Sequence, residues 1–168
     1  MTKQSMRISN PFPPVYDKRS RILILGSLPS EASRAAGFYY MNPRNRFWKM
    51  LSSLLDEDFT ILLSAEEKTA ALLRHNVALS DVILSCTIHR SADASIKDVV
   101  CTDVEALVSD GVKKIFLNGK KAYDLFLKHF PQYEAIASCM PSTSPANAKL
   151  SPEALTKIWG DAILPYLQ

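Results

Sequence analysis

The chain has 168 residues, 47% of them hydrophobic and 22% charged, with a formal net charge of +3. That balance describes one ordinary globular domain and excludes disordered, collagen-like and membrane-embedded chains. A chain of this size buries roughly 70% of the surface it exposes when unfolded, so it builds a core without disulfide or metal staples. The three cysteines, Cys86, Cys101 and Cys139, form no CxxC pair, and His75, His89 and His129 show neither HxH nor HExxH spacing. We therefore expect reduced thiols and neither a metal nor a cofactor. The opening MTKQSMR lacks a hydrophobic signal region, and no apolar run is long enough for a membrane span. The expected location is the cytoplasm, or the nucleus in a host that has one, and a monomer is the default.

In chain order, an irregular segment over 1–20 precedes RILILG (21–26), an apolar run ending at glycine that reads as a buried strand. GSLPSEAS follows as a turn-rich stretch. The next helix is expected from Asn42-Pro43, with asparagine as N-cap and proline in the first turn, and places Phe47, Met50, Leu51, Leu54 and Leu55 on one stripe. A capping box, SAEE from Ser64, opens another helix, and VALSDVIL (77–84) reads as the second strand. Thr102 to Glu105 is a further capping box, opening a helix that ends near Gly111. KKIFLNG (113–119) is the third strand, followed by a helix with Ala122, Leu125 and Phe126 on one face, and EAIASCM (134–140) is the fourth. After the loop PSTSPANAKL, Ser151-Pro152 caps a last helix with Leu155, Ile158, Trp159, Ala162 and Ile163 inward.

Continuous apolar strands alternating with helices predict an α/β fold, a three-layer α/β/α sandwich around a central four-stranded parallel sheet. In such sheets the site lies at the carboxyl ends of the strands. The loops there are GSLPSEAS with its aromatic continuation GFYYMNPRNRFW, SCTIHRSADAS, the NGKK turn and MPSTSPANA. Tyr39 and Tyr40 offer flat faces for a base or sugar, Asn42 and Asn45 offer neutral amides, and Arg44, Arg46, Lys49, Lys120 and Lys121 stand where phosphate contact is natural.

GSLPS, GFYYMNPRNRFW, NGKKAYDLF and MPSTSPA, in that order and over nearly the whole chain, resemble the uracil-DNA glycosylase superfamily, closest to its hypoxanthine-DNA glycosylase branch and next to the mismatch-specific uracil and thymine glycosylases. The resemblance implies hydrolysis of the N-glycosidic bond of a deaminated base, most specifically hypoxanthine in deoxyinosine, in double-stranded DNA after base flipping. The alternatives are release of uracil or mismatched thymine and, from a different class, a non-catalytic binder of damaged or single-stranded DNA.

One departure bears on mechanism. Leu28 stands where mismatch-specific relatives carry the asparagine that orients the attacking water. The hypoxanthine branch also lacks that group, and the resemblance transfers the role to Asn45, whose other reading is a helix cap. A neutral amide suits a dissociative reaction, in which an oxocarbenium-like sugar needs a positioned water more than a strong base.

The resemblance makes Gly26, Ser27, Tyr40, Asn42, Asp81 and Asn118 the base pocket, with Tyr40 as the stacking platform and Tyr39 packed or at the rim. Asp81 matches the position of a uracil-reading asparagine in a related branch, where a carboxylate accepts the N1–H of hypoxanthine. Its other reading is a solvent-facing strand-end aspartate. Asn118 holds either the base or the following loop. Ser30, Lys120 and the loop residues Pro141, Ser142, Thr143, Ser144 and Pro145 are expected to grip DNA, the serines through hydroxyls and backbone N–H groups. No lysine is placed as a Schiff-base nucleophile, so strand nicking is not expected.

Overall fold

The computed structural model describes residues 5–60, 64–89, 97–108 and 111–167. In chain order the elements are β1 (Ser5–Ser9), β2 (Ile22–Gly26), α1 (Glu31–Ala36), α2 (Phe47–Leu55), α3 (Ala65–Arg74), β3 (Val77–Asp81), β4 (Ile83–His89), β5 (Lys97–Cys101), α4 (Val104–Val108), β6 (Lys114–Asn118), α5 (Lys120–His129), β7 (Ala137–Met140) and α6 (Pro152–Ile163), with 3-10 turns over Pro131–Ile136 and Leu164–Tyr166.

Four of the strands form a parallel sheet in the order β3-β2-β6-β7. Alternate residues of each strand point to opposite faces, and both faces are apolar. Ile22, Ile24, Val77, Leu79 and Phe116 pack with α2, α3 and α6 through Phe47, Leu51, Leu72 and Trp159. Leu23, Leu25, Ala78, Ile115 and Leu117 pack with α4 and α5 through Val104, Leu107, Ala122 and Phe126. This is the expected three-layer sandwich, and every fully buried leucine or isoleucine in it contributes about 1.5–3 kcal/mol. Because β3 lies on one side of β2 and β6 on the other, the chain reverses its winding beside β2 and opens a crevice at the carboxyl ends of β2 and β6.

Several elements depart from the expectations. VALSDVIL is not one strand: it breaks at Val82, whose N–H donates to the Gly26 carbonyl at 2.7 Å, and the chain then enters a different sheet. That sheet is antiparallel, in the order β1-β4-β5, and uses residues expected to be an irregular N-terminus and a loop. Residues 90–95 of the expected loop lie outside the described residues. The turn-rich GSLPSEAS contains α1, capped by Ser30, whose Oγ accepts the Ser33 N–H at 3.1 Å. The helix expected from Asn42 begins at Phe47 instead, because Asn42 closes a turn of its own. Thr102 does not cap α4: its hydroxyl donates to the Asp81 carbonyl, while Asp103 Oδ1 accepts the Ala106 N–H at 3.1 Å. The fourth strand is shortened to β7 by the 3-10 turn before it. Ser64 and Ser151 cap their helices as expected, although Ile158 on α6 is 41% exposed, on the outer side of its helix.

Candidate active site

A cleft of about 1110 Å³ opens at the carboxyl ends of β2, β3 and β6 and gathers the expected base-pocket residues, Asn45 and the expected DNA-gripping residues except Pro141, whereas Arg44, Arg46 and Lys49 lie outside its lining. Its floor is Gly26 and Asp81, the last paired residues of β2 and β3. A Cβ on Gly26 would lie 2.6 Å from Asp81 Oδ1 and 2.8 Å from the Tyr40 hydroxyl oxygen, so only glycine lets both oxygens approach the strand end. Asp81 is not solvent-facing: it is 3% exposed. Its Oδ2 accepts one hydrogen bond, from Asn10 Nδ2 at 3.2 Å. Burial pushes its carboxyl up to about 7.

Tyr40 forms one wall. Its ring stacks on Phe47, with centroids 4.1 Å apart and planes inclined by 29°, leaving one face uncommitted to that partner. Its φ of 54° is left-handed, a conformation that costs a bulky residue on the order of 1–3 kcal/mol and that tends to cluster at functional sites. The Tyr40 hydroxyl is buried with no hydrogen-bond partner among the described residues; burial, then the Asp81 carboxyl, push its titration upward, and the nearby Asn118 side chain opposes them. Tyr39 is 1% exposed, borders the cleft near Asp81, and donates its hydroxyl to the Pro13 carbonyl at 3.1 Å.

The opposite wall begins with a turn. Asn42 Oδ1 accepts the Arg44 N–H and its carbonyl accepts the Asn45 N–H, each at 2.9 Å. Asn45 Oδ1 accepts the Phe47 N–H at 2.9 Å, so Asn45 covers a donor at the start of α2 and lines the cleft at the same time. Helix cap and cleft residue are compatible, because a carbonyl oxygen carries two lone pairs and the amide N–H₂ has no protein partner among the described residues. A second hollow of about 600 Å³ lies beyond it, also lined by Tyr40, Asn42 and Asn45.

The loop after β7 is held from below. Asn118 donates from Nδ2 to Thr143 Oγ1 and accepts the Thr143 N–H, both at 3.0 Å, so its amide holds the loop. Thr143 is fully buried, which corrects its expected role as a phosphate contact: it is the anchor. Pro141 also lies behind the cleft, its carbonyl accepting Trp159 Nε1 at 2.9 Å. Ser142, Ser144 and Pro145 line the cleft, with Lys120 and Ser30 at its edge. Lys120 is exposed and pairs with Asp124 at 3.2 Å. Gly119, at φ 101°, brings the start of α5 so close that a Cβ there would meet that of Ser142 at 3.2 Å.

Arg46 turns inward, against the expectation of a phosphate contact. Its guanidinium donates to the carbonyls of Leu150, Ser144 and Asn147 at 2.8, 3.1 and 2.6 Å, and its backbone N–H to that of Thr143 at 3.1 Å. One side chain thus joins the Asn45 turn to the serine loop. Asn10 was not anticipated either. Nothing in the spacing of an irregular N-terminus signals that it reaches Asp81, 71 residues away.

Residues 13–163, nine-tenths of the chain, match the family described as the uracil DNA glycosylase superfamily. The chain belongs to that superfamily. It is 36% identical over 149 residues to a protein of Methanosarcina acetivorans named hypoxanthine DNA glycosylase, covering 86% of this chain and 91% of that one. To the protein of the same name from Methanosarcina barkeri it is 35% identical over 113 residues, covering 66% and 71%. A solution NMR structure of a Methanosarcina acetivorans protein, assigned provisionally as a uracil DNA glycosylase, superposes with a TM-score of 0.72 at 28% identity, covering 93% of this chain and 98% of the other. As a superfamily glycosylase the chain is an enzyme acting on DNA, and the cleft at the strand ends is where such a fold carries chemistry. Among the described residues no helix is long and apolar enough to cross a membrane.

Proposed function

We propose that this glycosylase is monofunctional and releases hypoxanthine from deoxyinosine in double-stranded DNA, the first step of base excision repair. The observation that carries the reading is the Asp81 carboxyl, buried beside Gly26 at the floor of the cleft with Tyr40 as its wall, where one oxygen can accept the N1–H of hypoxanthine. Both curated relatives bear the name hypoxanthine DNA glycosylase, which supports the same substrate.

The flipped nucleotide enters over the serine loop, its base against the face of Tyr40 turned away from Phe47 and its flanking phosphates at Ser142, Ser144 and Ser30, with Lys120 adding charge at the edge. Asn45 orients a water toward C1′ through the remaining lone pair of Oδ1. Its other lone pair is committed to the Phe47 N–H, which fixes the orientation of the amide. An amide cannot deprotonate that water at neutral pH, so bond breaking runs ahead of attack and turnover is slow.

Uracil is the second reading, because its N3–H and O4 present the same donor and acceptor that hypoxanthine presents with N1–H and O6. The deciding experiment is incubation with labelled duplexes carrying inosine, uracil or xanthine, followed by alkali cleavage and gel sizing. Alkali-labile sites at inosine support the proposal, cleavage at uracil but not inosine selects the second reading, and no labile sites in any duplex would leave a DNA binder.

A further inference from the structure

We propose that Asp81 reads the base as a neutral carboxylic acid with its proton on Oδ1, donating to the carbonyl oxygen and accepting the ring N–H of a lactam edge. The inference rests on the glycosylase reading above and deepens it to a substrate class: hypoxanthine, xanthine and uracil share this edge, whereas adenine and cytosine present a ring nitrogen acceptor beside an amino donor.

Three observations lead there. First, among the described residues the carboxyl is buried without a counter-charge. The group donating to it is the neutral amide of Asn10. From the segment after α1 it faces the hydroxyl of Tyr40, with Tyr39 near, from β2 it faces Gly26, and Thr102 touches only its backbone carbonyl. The charged groups of the cleft, Glu31 and Arg34 on α1 and Lys120 and Lys121 on α5, line its walls, and none of them contributes to the upward shift of the carboxyl, which comes from burial. An ion held there unpaired is strongly disfavoured, and neutralisation removes that penalty.

Second, the position of the proton is set. Asn10 Oδ1 accepts the Phe12 N–H at 3.0 Å, which orients the amide so that Nδ2 is the end facing Asp81. A donor on Oδ2 makes Oδ2 the carbonyl-like oxygen and leaves the proton to Oδ1. Third, Oδ1 and the Tyr40 hydroxyl, which has no hydrogen-bond partner among the described residues, both lie within 3 Å of where a Cβ on Gly26 would stand, so the pocket floor presents two O–H groups on one side. A carbonyl oxygen satisfies that side, whereas an amino group would set donor against donor.

A symmetric acid would accept adenine as readily, by moving its proton to the other oxygen. Asn10 blocks that exchange, which makes Asn10 a positioning residue for specificity. Guanine carries the lactam edge too, so its rejection falls to the space around its 2-amino group and to the strength of the pair it must leave.

The test is the pH dependence of single-turnover hypoxanthine release from an inosine duplex, for the full chain and for Asp81→Asn, whose amide keeps a donor and an acceptor at every pH. Wild type is expected to lose ~10-fold per pH unit once Asp81 ionises. Asp81→Asn is expected to stay within about 10-fold of wild type at pH 6 and to show no such fall. Asn10→Ala is expected to lower the preference for hypoxanthine over adenine by at least ~10-fold, a ratio that a merely structural role would not move. A wild-type rate that rises or stays flat from pH 6 to 9, measured without any variant, overturns the proposal, as does a folded Asp81→Asn protein that has lost release. A wild type inactive on inosine, uracil and xanthine alike overturns the glycosylase reading as well, so the two failures are distinct.

Discussion

Gly26 and Asp81 end paired strands, and a methyl group on Gly26 would sit 2.6 Å from Asp81 Oδ1. The contact cannot relax easily, because the same methyl would press on the Tyr40 hydroxyl at 2.8 Å. Gly26→Ala should therefore displace both groups. We expect base release to fall at least ~100-fold for an ångström-scale misplacement of the base-reading groups. Overpacking should lower stability by about 1–3 kcal/mol. Single-turnover assays beside urea melts measure the two effects. Unchanged release in the variant would remove Gly26 and Asp81 from the site.

Asn45 carries two separable duties. Asn45→Ala removes the acceptor for the Phe47 N–H and should cost about 1 kcal/mol of stability. It should also lower release by ~100-fold or more while duplex affinity, read by fluorescence anisotropy, changes little. Asn45→Asp restores the acceptor and should recover the stability. If Asn45→Ala lost only the stability, the amide would be a cap and nothing more.

Asp81 links stability to pH with a definite sign. Its carboxyl titrates near 7 when folded and near 3.8 when unfolded, so between those values the folded state holds the extra proton. Stability therefore falls as pH rises through that window, by up to a few kcal/mol, and the loss is complete above it. Asp81→Asn abolishes this contribution, so the difference in melting temperature between pH 5 and pH 8 should shrink in the variant. An equal difference in both proteins would mean the buried carboxyl is not protonated.

Arg46 ties the Asn45 turn to the serine loop through three side-chain bonds to carbonyl oxygens. Arg46→Met keeps the stem but removes the donors, and a charged donor to a carbonyl is worth about 1.5–3 kcal/mol. We expect the segment 141–150 to become the preferred site of limited proteolysis and duplex affinity to weaken, with a smaller change in global stability than three such bonds added together. A proteolysis pattern identical to wild type would show that the loop holds itself.

The layered architecture was legible in the sequence because it follows from local rules. Strands such as RILILG are apolar on both faces, and Ser64 and Ser151 announce their helices through cap chemistry acting within four residues. Strand ends followed by loops also located the cleft, and the order of the motifs placed Gly26, Tyr40, Asn45 and Asp81 around it. What lay beyond reach were pairings between distant segments. The pairing of β1 with β4 joins residues some eighty positions apart, and short strands of mixed polarity carry no continuous apolar run of their own. Whether Arg46 faces phosphate or carbonyls, whether Thr143 is a contact or an anchor, and that Asn10 orients Asp81 were decided by tertiary packing. A polar side chain takes its role from whichever partner the fold brings within about 3 Å, and that partner is not encoded at its own position.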